Sequence, residues 1–228
     1  MPSPSKLRSS LERNGVDAAV MEQVYQGFEA IEDKSPKKAK AVFMRHAMKV
    51  LDDNLPYERR YEILDGCACC LGGSREQKVK RFLRDIADES HTLAEKVERL
   101  RQARPFYNST RLNADGTITD GVYYQVDGEY HCACTMFTKE KIDEPISSTY
   151  CLCCAGHFRH HLQKALGLKL RTVRVASSPL ESLGKEPCEF VFEDVRESPL
   201  SDRLRLRESI GTAHPDLTRR VREGRESQ

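Results

Sequence analysis

Eight of the nine cysteines stand in three tight groups: Cys67, Cys69 and Cys70; Cys132 and Cys134; and Cys151, Cys153 and Cys154. The first and third groups each contain a CxxC pair, Cys67 with Cys70 and Cys151 with Cys154. A turn or helix start brings residues three apart to one side, so each pair can offer two thiolates to one ion. Two such pairs are the supply that a tetrahedral zinc or an iron–sulfur cluster needs. The middle group follows the rule for strands, in which alternate residues face one way, and Cys132 and Cys134 are expected to project together. On the segment after the third group, Cys154, His157 and His161 fall at i, i+3 and i+7 and form one helical stripe, with His160 about one residue round from it. The candidate metal ligands are therefore Cys67, Cys69, Cys70, Cys132, Cys134, Cys151, Cys153, Cys154, His157 and His161.

The bland alternatives differ from residue to residue. A lone buried cysteine behaves as a small hydrophobe, and Cys188 is read that way on composition. His157 can equally be a capping or core-satisfied imidazole, and His46 sits midway along an amphipathic stripe as a structural residue. His91, His131 and His214 belong to no constellation. The sequence has no GxGxxG after a strand, no Walker loop, no GxSxG and no HExxH. The Asn113 to Gly116 segment mimics part of a calcium loop, but turn formation explains it.

The elements that must position these residues follow from periodicity. Apolar residues from Asp17 to about Lys34 recur at helical spacing behind a possible Asp17 cap, and a second stripe runs from Ala39 to Leu51 behind Ser35 and Pro36. A third helix is expected from Pro56 to Leu64. Ser74 with Gln77 reads as a capping box for a helix through Val79, Phe82 and Ile86, and a further helix carries Leu93, Val97 and Leu100. After Pro105 the texture changes. Turns at Asn113 to Gly116 and Asp127–Gly128 bracket β-favouring stretches, 121–126 and 130–137, which read as an antiparallel meander. Ser148 or Thr149 can cap a helix over 150–166 that Gly167 stops, and two strands follow, 168–176 and 189–193.

The expected fold class is α+β, with N-terminal helices packed on a twisted antiparallel sheet. The expected organisation is a flexible N-terminus over 1–16, a helical part over 17–104, a sheet-and-helix part of the same domain over 105–194, and a charged, mostly disordered tail over 195–228. The length of 228 residues suits one generous domain with extensions. Formal net charge is only +2, which removes the main argument for a dedicated nucleic-acid binder. Charged residues at 32%, no Trp and a mean hydropathy of -0.62 place part of the chain in water. No apolar run approaches the roughly 18 residues of a membrane span, so the reading is a cytoplasmic protein whose clustered thiols stay reduced. Homo-oligomerisation is left open.

Several runs resemble known families. The run 150–167, YCLCCAGHFRHHLQKALG, its following strand and the return run 184–190, GKEPCEF, resemble the C-terminal half of the 4-vinyl reductase domains over about 149–192. They also resemble the end of the L-2-amino-thiazoline-4-carboxylate hydrolase family. Together with 66–73, GCACCLGG, and 106–112, FYNSTRL, the pattern resembles a prokaryotic Cys-rich family, a domain of unknown function, over roughly 51–194. The vinyl-reductase resemblance implies helices and a twisted antiparallel sheet around a small-molecule pocket. In the phenol-sensing regulators of that group a structural zinc takes ligands from the start of this helix and from the final hairpin. Cys151 and Cys188 match two of those ligands. The other two have no counterpart, since the hairpin supplies no further cysteine and only Glu181 nearby.

The leading functional expectation is a zinc or iron–sulfur protein whose thiol-rich centre lies beside a small-molecule pocket, as in a sensor or ligand-binding protein. The pocket is expected between the Cys154, His157 and His161 stripe and the Tyr107 to Arg111 segment. Tyr107 and Arg111 are then the ligand-binding candidates, and Arg111 favours an acidic small molecule. An alternative is a metal-assisted hydrolase or redox enzyme with an open metal position beside Cys154, His157 or His161. A further alternative is a metal-free catalytic thiol, Cys153 or Cys154, activated by the helix N-terminus and His157.

Overall fold

The computed structural model describes residues 2–69, 71–86, 91–103, 109–137 and 143–196. The chain divides after Glu193, and of the second unit only residues 194–196 are described, with Arg196 ion-paired to Asp194 at 2.8 Å. The charged tail beyond them lies outside the described residues.

The first helix, α1 (Pro4–Arg13), forms within the stretch 1–16 that the sequence predicts to be flexible. Ser3 caps it by accepting from the Lys6 amide at 3.3 Å, Pro4 supplies a preset φ at its start, and Leu7 and Leu11, one turn apart, are fully buried. The pattern is only two turns long, so its periodicity is too short to stand out. Asp17 does cap α2 (Ala18–Tyr25), accepting from the Ala19 amide at 2.7 Å. That helix ends at Tyr25 rather than near Lys34, and turns at Phe28 and Ile31 carry the remaining apolar residues.

Next comes α3 (Lys37–Asn54), followed by α4 (Tyr57–Asp65). Pro36 takes the cap position of α3, while the Ser35 hydroxyl accepts from the Glu32 amide instead. Helix α5 (Gly73–Asp85) starts from Gly72 with no side-chain cap, so the expected Ser74–Gln77 box is not formed. Helix α6 (Leu93–Ala103) buries Val97 and Leu100.

The sheet part is an antiparallel core with additions. Strands β1 (Arg111–Leu112), β2 (Ile118–Val122), β5 (Leu170–Ser177) and β6 (Cys188–Asp194) form one sheet in the order β1-β2-β6-β5. Strands β3 (Gln125–Val126) and β4 (Glu129–Tyr130) form a separate hairpin whose turn, Asp127 and Gly128, has φ of 51° and 85°. The stretch 121–126 is thus split between two sheets, and the strand expected over 130–137 ends at Tyr130. A 3-10 turn (Ser148–Cys151) opens α7 (Leu152–Leu166), which stops at Gly167 with φ 68° as expected. The architecture is α+β, with α7 packed against β5, α4 and α5.

Specific polar ties fix α7. The Arg159 guanidinium donates to both Asp65 oxygens, at 3.0 and 2.8 Å, and Thr149 donates to Asp52 at 2.6 Å while Arg60 donates to Thr149 at 2.8 Å. Gly156 lets α4 approach closely, because a Cβ there would lie 2.7 Å from Asp65 Oδ1 and 3.2 Å from Ala68 Cβ.

Candidate functional site

The start of α7, the loop after β4 and the meeting ends of β2 and β6 enclose a cavity of about 280 Å³. Cys69, Cys132, Cys134, Cys151, Cys153, Cys154 and Cys188 line it, with Arg75, His157, Thr135, Tyr150, Val122 and Phe158 among the other walls. Four chain segments that are separate in sequence thus bring their thiols to one space.

Each segment has a local cause. Cys151, Cys153 and Cys154 sit on the 3-10 turn and first turn of α7, where burial of Leu152 and Ala155 sets the helical phase. Cys132 and Cys134 do not share a strand face. They come from an irregular loop held by the His131 amide donating to the Tyr124 carbonyl at 2.8 Å and the Phe137 amide donating to the Cys134 carbonyl at 2.9 Å. Cys188 opens β6, where Gly121 of β2 faces Glu189 across the ladder. A Cβ at residue 121 would lie 2.0 Å from the Cys188 carbonyl oxygen, so this approach requires glycine.

The thiols have particular partners. Cys134 Sγ lies 3.2 Å from the Tyr150 hydroxyl and Cys151 Sγ lies 3.1 Å from Ser178 Oγ. Cys188 and Cys132 are hydrogen-bonded to each other, which lowers the pKa of Cys132 and raises that of Cys188. Burial raises the pKa values of Cys151, Cys153 and Cys154, and their neighbouring thiols push the same way. Packing several thiols this closely disfavours thiolates unless a cation shares the space.

His157 is at the cavity wall with both ring nitrogens engaged. Nδ1–H donates to the Cys69 carbonyl at 2.7 Å and Nε2 accepts from the Arg75 guanidinium. Burial, then the Arg75 charge, lowers its pKa to about 4. The imidazole is therefore a neutral strut between the 69–75 segment and α7, and in this arrangement has no lone pair left for a metal or a substrate proton.

The site differs from the sequence reading at several residues. Cys67 does not line the cavity. It is buried in the helical core with Sγ 3.8 Å from the Lys6 carbonyl, because the turn after α4 points residue 67 at α1 and residue 69 at α7. Cys70 lies outside the described residues, as does Tyr107. His161 is fully buried next to His157, with ring centroids 4.9 Å apart, but faces Glu76 rather than the cavity.

Arg111 is also elsewhere: it is on the edge strand β1, pairing with Glu189 at 2.9 Å and donating to the Tyr123 hydroxyl at 3.3 Å. Ser109 and Thr110, expected at a pocket, bond the buried Asp120 at 2.8 and 3.1 Å. Cys188, set aside as a core residue, is a cavity thiol, and Arg75 is the cation at the wall. Cys188 carried one signal, its match to a vinyl-reductase ligand position; Arg75 carried none, since it is one arginine on a charged helix face.

The donor set is sulfur, which suits zinc and iron–sulfur chemistry. Among the described residues no three of the sulfurs lie within 4.8 Å of one another. A Zn–S length of about 2.3 Å would put the sulfurs of a tetrahedral zinc site about 3.8 Å apart. The thiols ring a space wider than one ion.

Among the described residues no helix is long and apolar enough to cross a membrane. Comparisons with protein-family models, with curated proteins and with solved structures found no match to this chain.

Proposed function

We propose that this is a metal-binding protein whose thiol-lined cavity holds an iron–sulfur cluster, with a fold like that of the 4-vinyl reductase domains. One observation carries the reading: seven cysteines from four separate segments converge on a single cavity. Buried thiols without a cation stay protonated, and so many together have little use as plain packing groups when Leu or Val would fill the space with more apolar surface. The spread of the sulfurs favours a polynuclear guest over a single zinc. The positions of Cys151 and Cys188 at the same wall agree with the two ligand positions that the vinyl-reductase resemblance implies.

Cys132, Cys151, Cys154 and Cys188 are the proposed ligands, because each lies within electrostatic reach of the others. Arg75 offsets the net negative charge of a thiolate-bound cluster, and His157 holds Arg75 in place. A small acid entering the cavity meets Arg75, not Arg111, so the small-molecule role moves with the cation. A cytoplasmic location, where thiols remain reduced, fits this chemistry.

The test is purification without oxygen, followed by iron, acid-labile sulfide and zinc analysis with a UV-visible spectrum. A brown protein with iron and sulfide is expected. Cys188→Ser should lose most of that iron, whereas Cys67→Ser should keep it because its thiol points into the helical core. A colourless zinc protein would replace the cluster with zinc, and a metal-free protein, or equal metal in both variants, would end the reading.

A further inference from the structure

We infer that a second cation site, separate from the thiol cavity, is formed by Glu76, His160 and His161 and takes a borderline divalent ion such as zinc. One ligand atom from each of these three residues lies within 4.8 Å of the others, and among the described residues no other group of three meets that condition. Consecutive residues on a helix point about 100° apart, so two adjacent histidines of α7 meet a common point only because Glu76 of α5 comes in between them. The rings of His160 and His161 stand at 87° with centroids 5.1 Å apart, and His161 Nδ1 is 4.0 Å from a Glu76 oxygen.

The second observation is the state of His160. Its Nε2 is buried and has no hydrogen-bond partner, while the ring bonds the Leu71 backbone through its other nitrogen. Leaving a buried polar nitrogen unmatched is unfavourable, and a cation on its lone pair would relieve that. A backbone carbonyl on one nitrogen and a free lone pair on the other is the arrangement that orients metal-binding histidines.

Two imidazoles and a carboxylate are a donor set for zinc, cobalt or ferrous iron, with a fourth position left for water or another small donor. Bond lengths of about 2.0–2.2 Å would draw the ligand atoms closer by roughly 1 Å, a change that side-chain rotation can supply. Glu76 is also held by Lys164, 3.1 Å from both its oxygens, and Lys80 lies at 4.0 Å. Lys80 is largely in water and Lys164 is partly exposed, so both can swing away as the ion arrives.

The test adds Co2+ to the full-chain protein as purified, with bound cobalt measured by equilibrium dialysis and visible absorption. Nitrogen and oxygen ligands give weak visible bands without the intense near-ultraviolet sulfur-to-cobalt charge transfer that a thiolate site would give. The wild type is expected to retain one cobalt of the first kind. His160→Gln and Glu76→Gln should each weaken that binding by at least the roughly 10–100-fold seen for lesser changes around metal ligands. His46→Gln, whose ring bonds the Gln23 carbonyl outside both sites, should bind as the wild type does, and thermal melts establish that each variant is folded. If Glu76→Gln does not fold, His160→Gln decides alone. No cobalt uptake by the wild type, unchanged uptake by His160→Gln, or uptake accompanied only by sulfur charge transfer would each overturn the assignment.

Discussion

Replacing Gly121 by Ala should damage the cavity from a residue that never touches it. A Cβ at 121 would lie 2.0 Å from the Cys188 carbonyl oxygen and 3.2 Å from Glu189 Cα, both backbone atoms that cannot rotate away. Ordinary contact begins near 3.4 Å, so β2 and β6 must part by more than 1 Å at the rung where Cys188 enters the cavity. Overpacking of this kind costs about 1–3 kcal/mol, and a lost ladder hydrogen bond adds about 1 kcal/mol. The expected loss is thus about 2–4 kcal/mol. At about 2–4 °C per kcal/mol for a chain of this size, the melting temperature should fall by roughly 4–16 °C. The shift also separates Cys188 from Cys132, so any metal held by the proposed thiol site should be lost with it. Gly72→Ala is the control: its φ is -130° and a Cβ there meets nothing within 4 Å, so only the weaker N-cap counts and its effect should stay within about 1 kcal/mol, with no loss of cavity geometry. Paired thermal melts and metal analyses decide the matter. A Gly121→Ala protein that melts and loads metal like the wild type would show that the two strands do not approach as described.

Further outcomes follow from buried groups. Burial raises the Asp120 pKa from 3.8 to about 7 despite bonds from Ser109, Thr110 and the Gly121 amide. The folded state therefore holds a proton that the unfolded chain releases, and stability falls as pH rises from about 4 to 7. Asp120→Asn should remove that fall, becoming more stable than the wild type by up to about 4 kcal/mol at pH 8 at about 1.4 kcal/mol per pH unit; equal denaturation midpoints at pH 5 and pH 8 relative to wild type would contradict it. His157 has the opposite slope. Its pKa is lowered from 6.5 to about 4, so the unfolded state takes the extra proton and stability is lost as pH falls through that window, by up to about 3 kcal/mol. His157→Gln should lack this loss in urea titrations at pH 7 and pH 4.5, and a matching slope in both proteins would show that the ring is not held neutral. Leu7 is fully buried, so Leu7→Ala should cost about 2–5 kcal/mol, and a melt unchanged from wild type would mean that α1 does not pack.

Much of the element order is legible in the sequence because it depends on near neighbours. The Asp17 cap, the Asp127–Gly128 turn and the Gly167 stop are each decided by a side chain or a φ within a few residues. The apolar stripes of α3, α6 and α7 likewise follow from the helical period alone. Errors come where a local signal is short or shared. Ser3-Pro4 with Leu7 and Leu11 is a complete helix pattern, but two turns of it are weak without the core that Leu7 and Leu11 enter. Ser74 and Gln77 match a capping box, yet Gly72 takes the cap.

The three thiol groups and their soft-donor chemistry are also legible in the sequence, since donor chemistry belongs to the side chain itself. Which thiols share a space is not. A CxxC spacing allows Cys67 and Cys70 to face one ion, but the direction of Cys67 depends on how α4 packs against α1, a contact between residues more than fifty apart. Cys188 enters the cavity because Gly121 admits β6 at close range, and Arg75 reaches the wall because α5 lies against α7. Arg111 ends on the edge strand, where Glu189 across the sheet is its nearest opposite charge. Sequence determines the donors and the local geometry of each segment; long-range packing, which no nearby spacing encodes, decides which donors meet.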